Sequence, residues 1–336
     1  MKSLKYIFFL VLTLFIGASI YVATLDGNFD IKQTRTLKVP VDVVFNNIND
    51  YKNWEHWGPW LELDSTIVAS YPKITSGVGA SYTWTGKDGL GSLKTISLIH
   101  NKEIIQEIDF GSDSKPEVYW KLTKIKDSTE VTWGMRGKNT FGEKIYWLIN
   151  GGIEKNMIPM YTRGLELLEQ QLQKEMDIHS IDYKGIVDHG GGYYLYQTVA
   201  CKNDIAPIKM SEMFSVIVNY MADNNIEASG KPFTLNHEVD IQNNTVLFST
   251  CIPVKERIIT EETVLTGYLE PQKTFKILFK GNYKFLPKYW STFYKTLNDQ
   301  GYTAIKKGFS FEIYTINPSD SSNPANWLTE IYIPIH

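Results

Sequence analysis

Residues 327–335 decide the fold of the C-terminal half, and they read Trp-Leu-Thr-Glu-Ile-Tyr-Ile-Pro-Ile. Isoleucines stand at every second position near the end of this segment: Ile331, Ile333 and Ile335. Strict alternation is typical of a β-strand with one buried face, because successive side chains point to opposite faces. The sequence therefore predicts that the isoleucines cover helices and that Glu330 and Tyr332 point away from that core.

The same strand ending occurs a second time, which reveals an internal repeat. Cys-Ile-Pro-Val at 251–254 aligns with Tyr-Ile-Pro-Ile at 332–335, and residues 221–233 align with residues 297–309. Each copy reads strand, helix, strand, strand. The sequence therefore predicts an α+β fold with a duplicated βαββ domain over residues 178–336.

Each copy also predicts an amphipathic helix. One apolar face of the first helix consists of these residues: Met210, Met213, Phe214, Ile217, Val218 and Met221. The apolar face of the second helix consists of Leu286, Trp290, Phe293 and Leu297. Pro207 and Pro287 lie in or near the first turns, where a missing N–H costs little. Both helices therefore have a side that can pack against a sheet.

Two copies of such a unit resemble the GyrI-like effector-binding domain, which is found attached to AraC- and MerR-type regulators and also as a free-standing protein. The resemblance rests on Glu-Ile-Tyr-Ile-Pro at 330–334 and on Phe-Lys-Gly-Asn-Tyr at 279–283. It implies that the glutamate of the final strand lies in the groove between the two copies, where it meets cationic or polar groups of aromatic ligands. This role would fall to Glu330.

Strand alternation predicts further groups on the face that carries Glu330 and Tyr332. In the preceding strand, the apolar positions are expected to face the helices: Phe309, Phe311 and Ile313. Glu312 and Tyr314 would then share the outer face with Glu330 and Tyr332. The first copy carries different residues at the positions that match Glu330 and Tyr332: Ser249 and Cys251. The repeat is therefore asymmetric at the place where a ligand would bind.

A carboxylate flanked by aromatic rings attracts lipophilic cations through Coulomb and cation–π interactions. Five more aromatic residues are candidates for the wall of such a site: Tyr194, Tyr196, Tyr283, Trp290 and Trp327. The sequence thus predicts a ligand site around Glu330, Tyr332, Glu312 and Tyr314. The alternative interpretation is that both glutamates are solvated on a strand face and that the aromatic residues are packing.

Residues 30–175 predict a separate α+β domain. Strand-like alternation at 31–39 precedes Pro40 and a helical pattern at 41–48. Further strands with turn residues between them predict an antiparallel meander: 80–85, 91–99, 104–110, 118–125 and 130–136. Apolar residues with helical spacing then predict one long helix over 146–174.

This order of elements, with Val-Phe-x-x-Ile at 44–48 and Trp-x-x-Trp-x-Pro-Trp at 54–60, resembles the START-like (SRPBCC, polyketide cyclase/dehydrase) superfamily. The resemblance implies a helix-grip fold, in which a curved sheet holds the long helix and a cavity between them commonly holds lipids or other apolar molecules. Three mid-strand tryptophans would form the aromatic wall of that cavity: Trp84, Trp120 and Trp133. The alternative is that these indoles simply fill the core.

The N-terminal segment predicts a membrane anchor at residues 1–26. An uncharged stretch at 6–25 follows Lys2 and Lys5, and at about 1.5 Å per residue it can cross a hydrocarbon core of roughly 30 Å. A single spanning helix makes the lipid bilayer an expected partner. Because the lysines precede the span, the positive-inside rule places the soluble domains on the non-cytoplasmic side. A cleaved signal peptide is the alternative.

Composition argues against several other classes of protein. The chain has 34 Lys and Arg against 37 Asp and Glu, so no basic surface is expected for nucleic acid. Cys201 and Cys251 lack zinc-site spacing; buried thiols are expected, with a single disulfide as the alternative. The six histidines are scattered, and neither a metal nor a cofactor is predicted. The run His-Gly-Gly-Gly at 189–192 has no Gly-x-Ser-x-Gly partner, so no catalytic residue is assigned.

The combined prediction is a membrane-anchored protein that binds an apolar or lipophilic cationic small molecule for sensing or sequestration. One alternative is a hydrolase in which Glu330 or Glu312 activates water against a small electrophilic molecule. That activity requires a carboxyl pKa raised by burial. The other alternative is lipid binding by the START-like domain.

Overall fold

The computed structural model describes residues 2–87, 89–240, 242–260, 263–305 and 309–336. This part of the chain is mixed α+β, with two antiparallel sheets and an apolar helix at the N-terminus. The chain divides into two compact units, Met1–Glu175 and Met176–His336.

The first unit contains these helices in its described residues: α1 (Lys2–Thr24), α2 (Val41–Asn49), α3 (Trp60–Leu63), α4 (Phe141–Ile149) and α5 (Ile153–Met176). A 3-10 helix, Tyr51–His56, lies between α2 and α3. Its strands are β1 (Asn28–Leu37), β2 (Val68–Ser70), β3 (Ser81–Gly86), β4 (Gly89–Ile99), β5 (Glu103–Asp109), β6 (Glu117–Ile125) and β7 (Ser128–Lys138). The strand order β1-β7-β6-β5-β4-β3-β2 is a meander closed by β1 against β7.

The predicted strands and short helix agree with the structure of this unit. The prediction of one long helix over residues 146–174 is wrong, because two helices occupy this segment. The chain leaves the helical conformation after Ile149, and Gly151 and Gly152 both have positive φ, 81° and 101°. Glycine adopts this region at little steric cost, so the two residues separate α4 from α5. The apolar stripe of α5 is buried as predicted: Tyr161, Leu165, Leu168 and Leu172.

Stacked aromatic rings fill the core of the first unit. Trp120 and Trp133, on the neighbouring strands β6 and β7, stack with ring centroids 4.4 Å apart. Trp54 and Trp57 pack edge-on against both rings. The indole N–H groups of Trp54 and Trp57 are hydrogen-bonded. These buried indoles therefore supply a large apolar area.

Helix α1 is exposed along nearly its whole length. Its segment Leu4–Thr24 has 21 residues and a mean hydropathy of 2.3, enough in length and composition for a membrane span. A signal sequence has the same properties.

The second unit contains helices α6 (Ala206–Asp223) and α7 (Trp290–Asp299) in its described residues, with 3-10 helices Tyr283–Tyr289 and Pro324–Asn326. Its strands are β8 (Ser180–His189), β9 (Gly192–Lys202), β10 (Phe233–Asp240), β11 (Thr245–Val254), β12 (Leu265–Leu269), β13 (Gln272–Lys280), β14 (Ser310–Ile316) and β15 (Leu328–Pro334). They form one antiparallel sheet in the order β12-β9-β11-β10-β14-β15-β13-β8.

Helices α6 and α7 pack on the same face of this sheet, the helix face; the opposite surface is the open face. Helix α6 covers Leu195 and Ile252, and α7 covers Phe275 and Phe279. The isoleucines of β15 belong to the α7 cluster, as predicted: Ile331, Ile333 and Ile335. Helix α6 buries Met213, Ile217 and Met221. Val218, which was predicted to face the core, is 52% exposed. The buried side of α6 is therefore narrower than the predicted apolar face.

Strand β14 has the opposite phase to the predicted one. Phe311 pairs with Tyr332 across the ladder, and their rings stack at 4.8 Å, so Phe311 and Ile313 lie on the open face. Glu312 pairs with Ile331 and therefore lies on the helix face. Phe309 precedes β14 and contacts His237. The prediction that Glu312 and Tyr314 share a face with Glu330 and Tyr332 is therefore wrong.

Both cysteines are free thiols: Cys251 is buried and Cys201 is half-buried. The disulfide alternative is wrong.

Candidate functional site

A row of polar side chains crosses the helix face at the centre of the second sheet. Thr250 of β11 pairs with Thr234 of β10, and Thr234 pairs with Glu312 of β14. Tyr314 pairs with Thr329 of β15. All five side chains are buried, although the helix face on either side of them is apolar. Buried polar groups are costly unless they bind something, so this row is the first candidate for a site.

Both helices contribute to the surroundings of this row. On the α6 side, the Tyr314 hydroxyl lies 3.6 Å from the sulfur of Met210, and the rings of Phe214 and Tyr314 meet edge-on. On the α7 side, the Trp290 side chain acts on the Glu312 carboxyl and opposes the rise of its pKa that burial causes. The polar row thus lies where residues of α6 and α7 approach the same strands.

The Glu312 carboxyl is 8% exposed. It accepts hydrogen bonds from the Asn236 amide at 3.3 Å and from the Tyr314 hydroxyl at 3.2 Å. Among the described residues, no Lys, Arg or His lies within ion-pair distance of it. Burial therefore dominates and raises the pKa of Glu312, although its hydrogen bonds oppose the shift.

Aromatic rings border the carboxyl on the side of the 3-10 helix that precedes α7. The ring of Tyr283 lies 5.4 Å from Tyr314 and 4.6 Å from Trp327, between centroids. Within the described residues, the buried hydroxyls of Tyr283, Thr250 and Thr329 have no hydrogen-bond partner. Such groups are available to a polar atom of a ligand.

The open face carries a second glutamate and tyrosine, whose charge is balanced. Glu330 accepts a hydrogen bond from the Tyr332 hydroxyl at 2.6 Å and lies 3.0 Å from the ammonium group of Lys276. Lys276 also lies 5.2 Å from the centre of the Tyr332 ring. Glu330, which was predicted to bind a cationic ligand, is thus already paired with Lys276.

Beside this ion pair, the open face contains a cavity of about 210 Å³. Its walls include His189, Tyr194, Phe233 and Phe311. The His189 ring contacts Phe311 at 4.8 Å, and burial lowers its pKa. Lys231 also lines the cavity, so it combines aromatic rings with a basic side chain and an imidazole of lowered pKa, which suits an uncharged molecule better than a cation.

The nine residues predicted for a single site are divided between the two faces. The helix face holds Glu312, Tyr314, Tyr283, Trp290 and Trp327. The open face holds Glu330, Tyr332, Tyr194 and Tyr196. The sequence interpretation missed Asn236 and Lys276, whose strand parity places them beside the two carboxyls. No cluster of three or more potential metal ligands occurs in the described part of the chain.

The tryptophans predicted for a cavity of the first unit lie in two places. Trp120 and Trp133 are buried in the stacked core, and Trp84 contacts Tyr82 and Phe110. A separate cavity of about 250 Å³ is lined by other rings: Trp54, Trp60, Tyr71 and Tyr82.

Residues 193–336 match the family model of the GyrI-like small molecule binding domain. The second unit thus carries a GyrI-like domain. This domain begins in β9 and includes the whole polar row, together with Glu330 and Lys276. No curated protein matches the chain.

Solved structures that are similar to part of the chain share little sequence with it. A cryo-EM structure of an EcmrR–DNA complex has 16% identity and a TM-score of 0.41, covering 54% of this chain and 66% of that chain. A crystal structure of the EcmrR C-terminal domain has 15% identity and a TM-score of 0.41, covering 47% of this chain and 98% of that chain. A crystal structure of a Chromobacterium violaceum protein has 14% identity and a TM-score of 0.34, covering 43% and 96%.

Proposed function

We propose that the GyrI-like domain binds a lipophilic cation on its helix face, with Glu312 as the charged contact. The observation that carries this proposal is the buried Glu312 carboxyl, which accepts hydrogen bonds from Asn236 and Tyr314 and has no cationic partner among the described residues. Tyr283, Trp290, Tyr314 and Trp327 supply the aromatic wall.

Glu312 takes the role that the family resemblance gave to Glu330. Glu330 is 23% exposed and is neutralised by Lys276, so a ligand cation would have to displace a covalently tethered ammonium group. Glu312 has no such competitor in the described chain. A cation that reaches it gains Coulomb attraction in a poorly solvated site and cation–π contacts of about 0.5–2 kcal/mol with each well-placed ring.

Binding should be coupled to ionisation of Glu312. Burial raises the pKa of Glu312, so part of the ligand-free protein carries a neutral carboxyl at pH values near and above the ordinary glutamate pKa. A cation stabilises the ionised form, so affinity should rise with pH until Glu312 is fully ionised.

The wider role is membrane-anchored sensing or sequestration. The supporting observations are the apolar helix α1 and the division into two units. In this proposal residues 1–26 are a single-pass anchor in the lipid bilayer, and the domains at 30–175 and 178–336 lie on the non-cytoplasmic side.

The domain at 30–175 is proposed to be START-like, because a seven-stranded antiparallel sheet is followed by the long helix α5. Lipid binding by this domain is the accompanying proposal, although Trp120 and Trp133 fill its core and do not line the cavity of about 250 Å³. The GyrI-like domain is proposed to be duplicated, since β9-α6-β10-β11 and β13-α7-β14-β15 have the same element order.

A hydrolase acting on a small electrophilic molecule is the second candidate. A carboxyl with a raised pKa can act as a general base near neutral pH, and the Tyr314 hydroxyl 3.2 Å away can donate to developing negative charge. A screen of electrophilic esters and epoxides against wild type and Glu312→Gln tests this activity. Turnover that disappears in the variant supports hydrolysis, and binding without turnover excludes it for those substrates.

The binding proposal is tested by titrating tetraphenylphosphonium into the full chain in a non-ionic detergent. Glu312→Gln keeps the size of the side chain and removes its charge, so affinity should fall roughly 10-fold or more. Glu330→Gln is the matched control on the open face and should change affinity less than about 2-fold. Neutral triphenylphosphine oxide should lose little affinity in either variant. Equal affinity of wild type and Glu312→Gln for the cation would overturn the proposal.

A further inference from the structure

The cavity of about 250 Å³ in the first unit has the composition of an aromatic cage. Trp54 and Tyr82 are buried, and Trp60 and Tyr71 are half-buried at the cavity wall. Trp54 lies 5.7 Å from Trp60 and 6.1 Å from Tyr82, and Tyr71 stacks on Tyr82 at 5.9 Å. Four π-systems from separate segments therefore surround one small space.

A carboxylate completes the rim of this cavity. Glu55 lines it, and its negative charge adds to burial in raising the pKa of the Tyr71 hydroxyl. No Lys or Arg forms an ion pair with Glu55 within the described residues. Asp50 adds a second negative charge that acts on Tyr71. Glu55 and Asp50 thus place negative charge beside Tyr71, which disfavours phosphate or carboxylate ligands.

We propose that this cage binds a quaternary or alkylated ammonium group. Ring faces carry negative electrostatic potential, so several rings around one cation provide additive cation–π attraction, and Glu55 adds Coulomb attraction. The volume is below the roughly 300–1,000 Å³ of pockets for drug-sized molecules, which favours a compact headgroup over a large apolar ligand. The ammonium group belongs either to a free small molecule or to a choline-type lipid headgroup.

This site is independent of the proposed site at Glu312. It lies in a different unit, uses a different carboxyl, and includes none of the tryptophans predicted for the START-like cavity: Trp84, Trp120 and Trp133. Binding at this cage is therefore expected even if Glu312 binds no cation.

Choline is the probe, titrated calorimetrically into the full chain carrying Glu312→Gln, so that the other carboxyl cannot contribute. The detergent is a maltoside, because phosphocholine detergents would occupy the cage. The neutral carbon isostere 3,3-dimethylbutan-1-ol has the same shape without the charge. Choline should bind roughly 10-fold more tightly than this alcohol.

Two cage variants and one control localise the binding. Trp60→Leu should weaken choline binding roughly 5- to 30-fold through loss of a ring, and Glu55→Gln should weaken it several-fold. Glu55 is exposed, so its substitution leaves the core intact even if Trp60→Leu unfolds the unit. Glu107→Gln removes an exposed carboxylate from β5 of the same unit and should leave affinity unchanged.

The source of the ammonium group is separated by repeating the titration in nanodiscs. Weaker choline binding in phosphatidylcholine than in phosphatidylethanolamine nanodiscs, which have the same net surface charge, assigns the cage to a choline headgroup, whereas equal binding assigns it to a free ammonium compound. The proposal is overturned if choline does not bind at millimolar concentration, if it binds no better than 3,3-dimethylbutan-1-ol, or if Glu55→Gln and Glu107→Gln behave alike.

Discussion

Each face of the C-terminal sheet carries a hydrogen-bonded glutamate–tyrosine pair, Glu330–Tyr332 on the open face and Glu312–Tyr314 on the helix face, and the two pairs differ in charge balance. On the open face, Lys276 lies 3.0 Å from Glu330. On the helix face, Glu312 accepts hydrogen bonds from an amide and a hydroxyl, and no cation pairs with it in the described residues. If the proposed function is correct, the basic residue on a neighbouring strand, more than the carboxylate itself, decides which face attracts a cationic ligand.

The largest expected difference between the faces is in stability. Phe293 of α7 is fully buried against the helix face, and Phe293→Ala should lower the free energy of unfolding by roughly 3–5 kcal/mol. Tyr194 on the open face is half-buried, so Tyr194→Ala should cost less than half as much. Urea denaturation measures both values. Val218→Ala, on the exposed side of α6, is the control and should stay within about 0.5 kcal/mol of wild type. Equal losses at Phe293 and Tyr194 would contradict the assignment of the faces.

The next difference concerns pH. Because the pKa of Glu312 is raised in the folded protein, folding is favoured while this group is protonated. Its contribution is complete below the ordinary glutamate pKa of about 4.3 and is lost as pH rises through the folded pKa, by about 1.4 kcal/mol per unit of pKa difference. Urea denaturation across this pH range should show wild type losing stability relative to Glu312→Gln as pH rises. Parallel curves for the two proteins would show that the carboxyl is not desolvated.

The smallest change in stability is expected for Lys276→Met, which removes the charge difference between the two faces. Lys276→Met removes the cation beside Glu330, where both side chains are about one-fifth exposed, and should cost no more than about 1 kcal/mol. It should also make the open face resemble the helix face, so tetraphenylphosphonium should gain a second binding equivalent. A single equivalent in Lys276→Met would mean that an unpaired carboxylate is insufficient without the ring arrangement around Glu312.

Part of this architecture could be predicted from the sequence. The alternating isoleucines of β15 correctly indicated its helix-facing side, and Gly151 and Gly152 carried a readable signal for the break between α4 and α5. The family resemblance of the second half agrees with the match of residues 193–336 to the GyrI-like domain.

The phase of β14 could not be predicted by the same reasoning. Alternation assigns an apolar set to the buried face, but the open face of this sheet is also partly buried, by residues that include Phe233, Leu235 and Cys251. Phe311 therefore had two apolar surfaces available, and only its pairing with Tyr332 determines which one it joins. A one-residue change of phase moved Glu312 to the opposite face from Glu330.

Proton release on ligand binding shows whether the cation binds beside Glu312 or beside Glu330. Calorimetric titration of tetraphenylphosphonium in buffers of different ionisation enthalpy gives the number of protons released. We expect wild type and Glu330→Gln to release protons, and the number released should increase as pH falls towards the ordinary glutamate range. Glu312→Gln should release none. Release that persists in Glu312→Gln and disappears in Glu330→Gln would contradict this expectation and return the ligand to the open face.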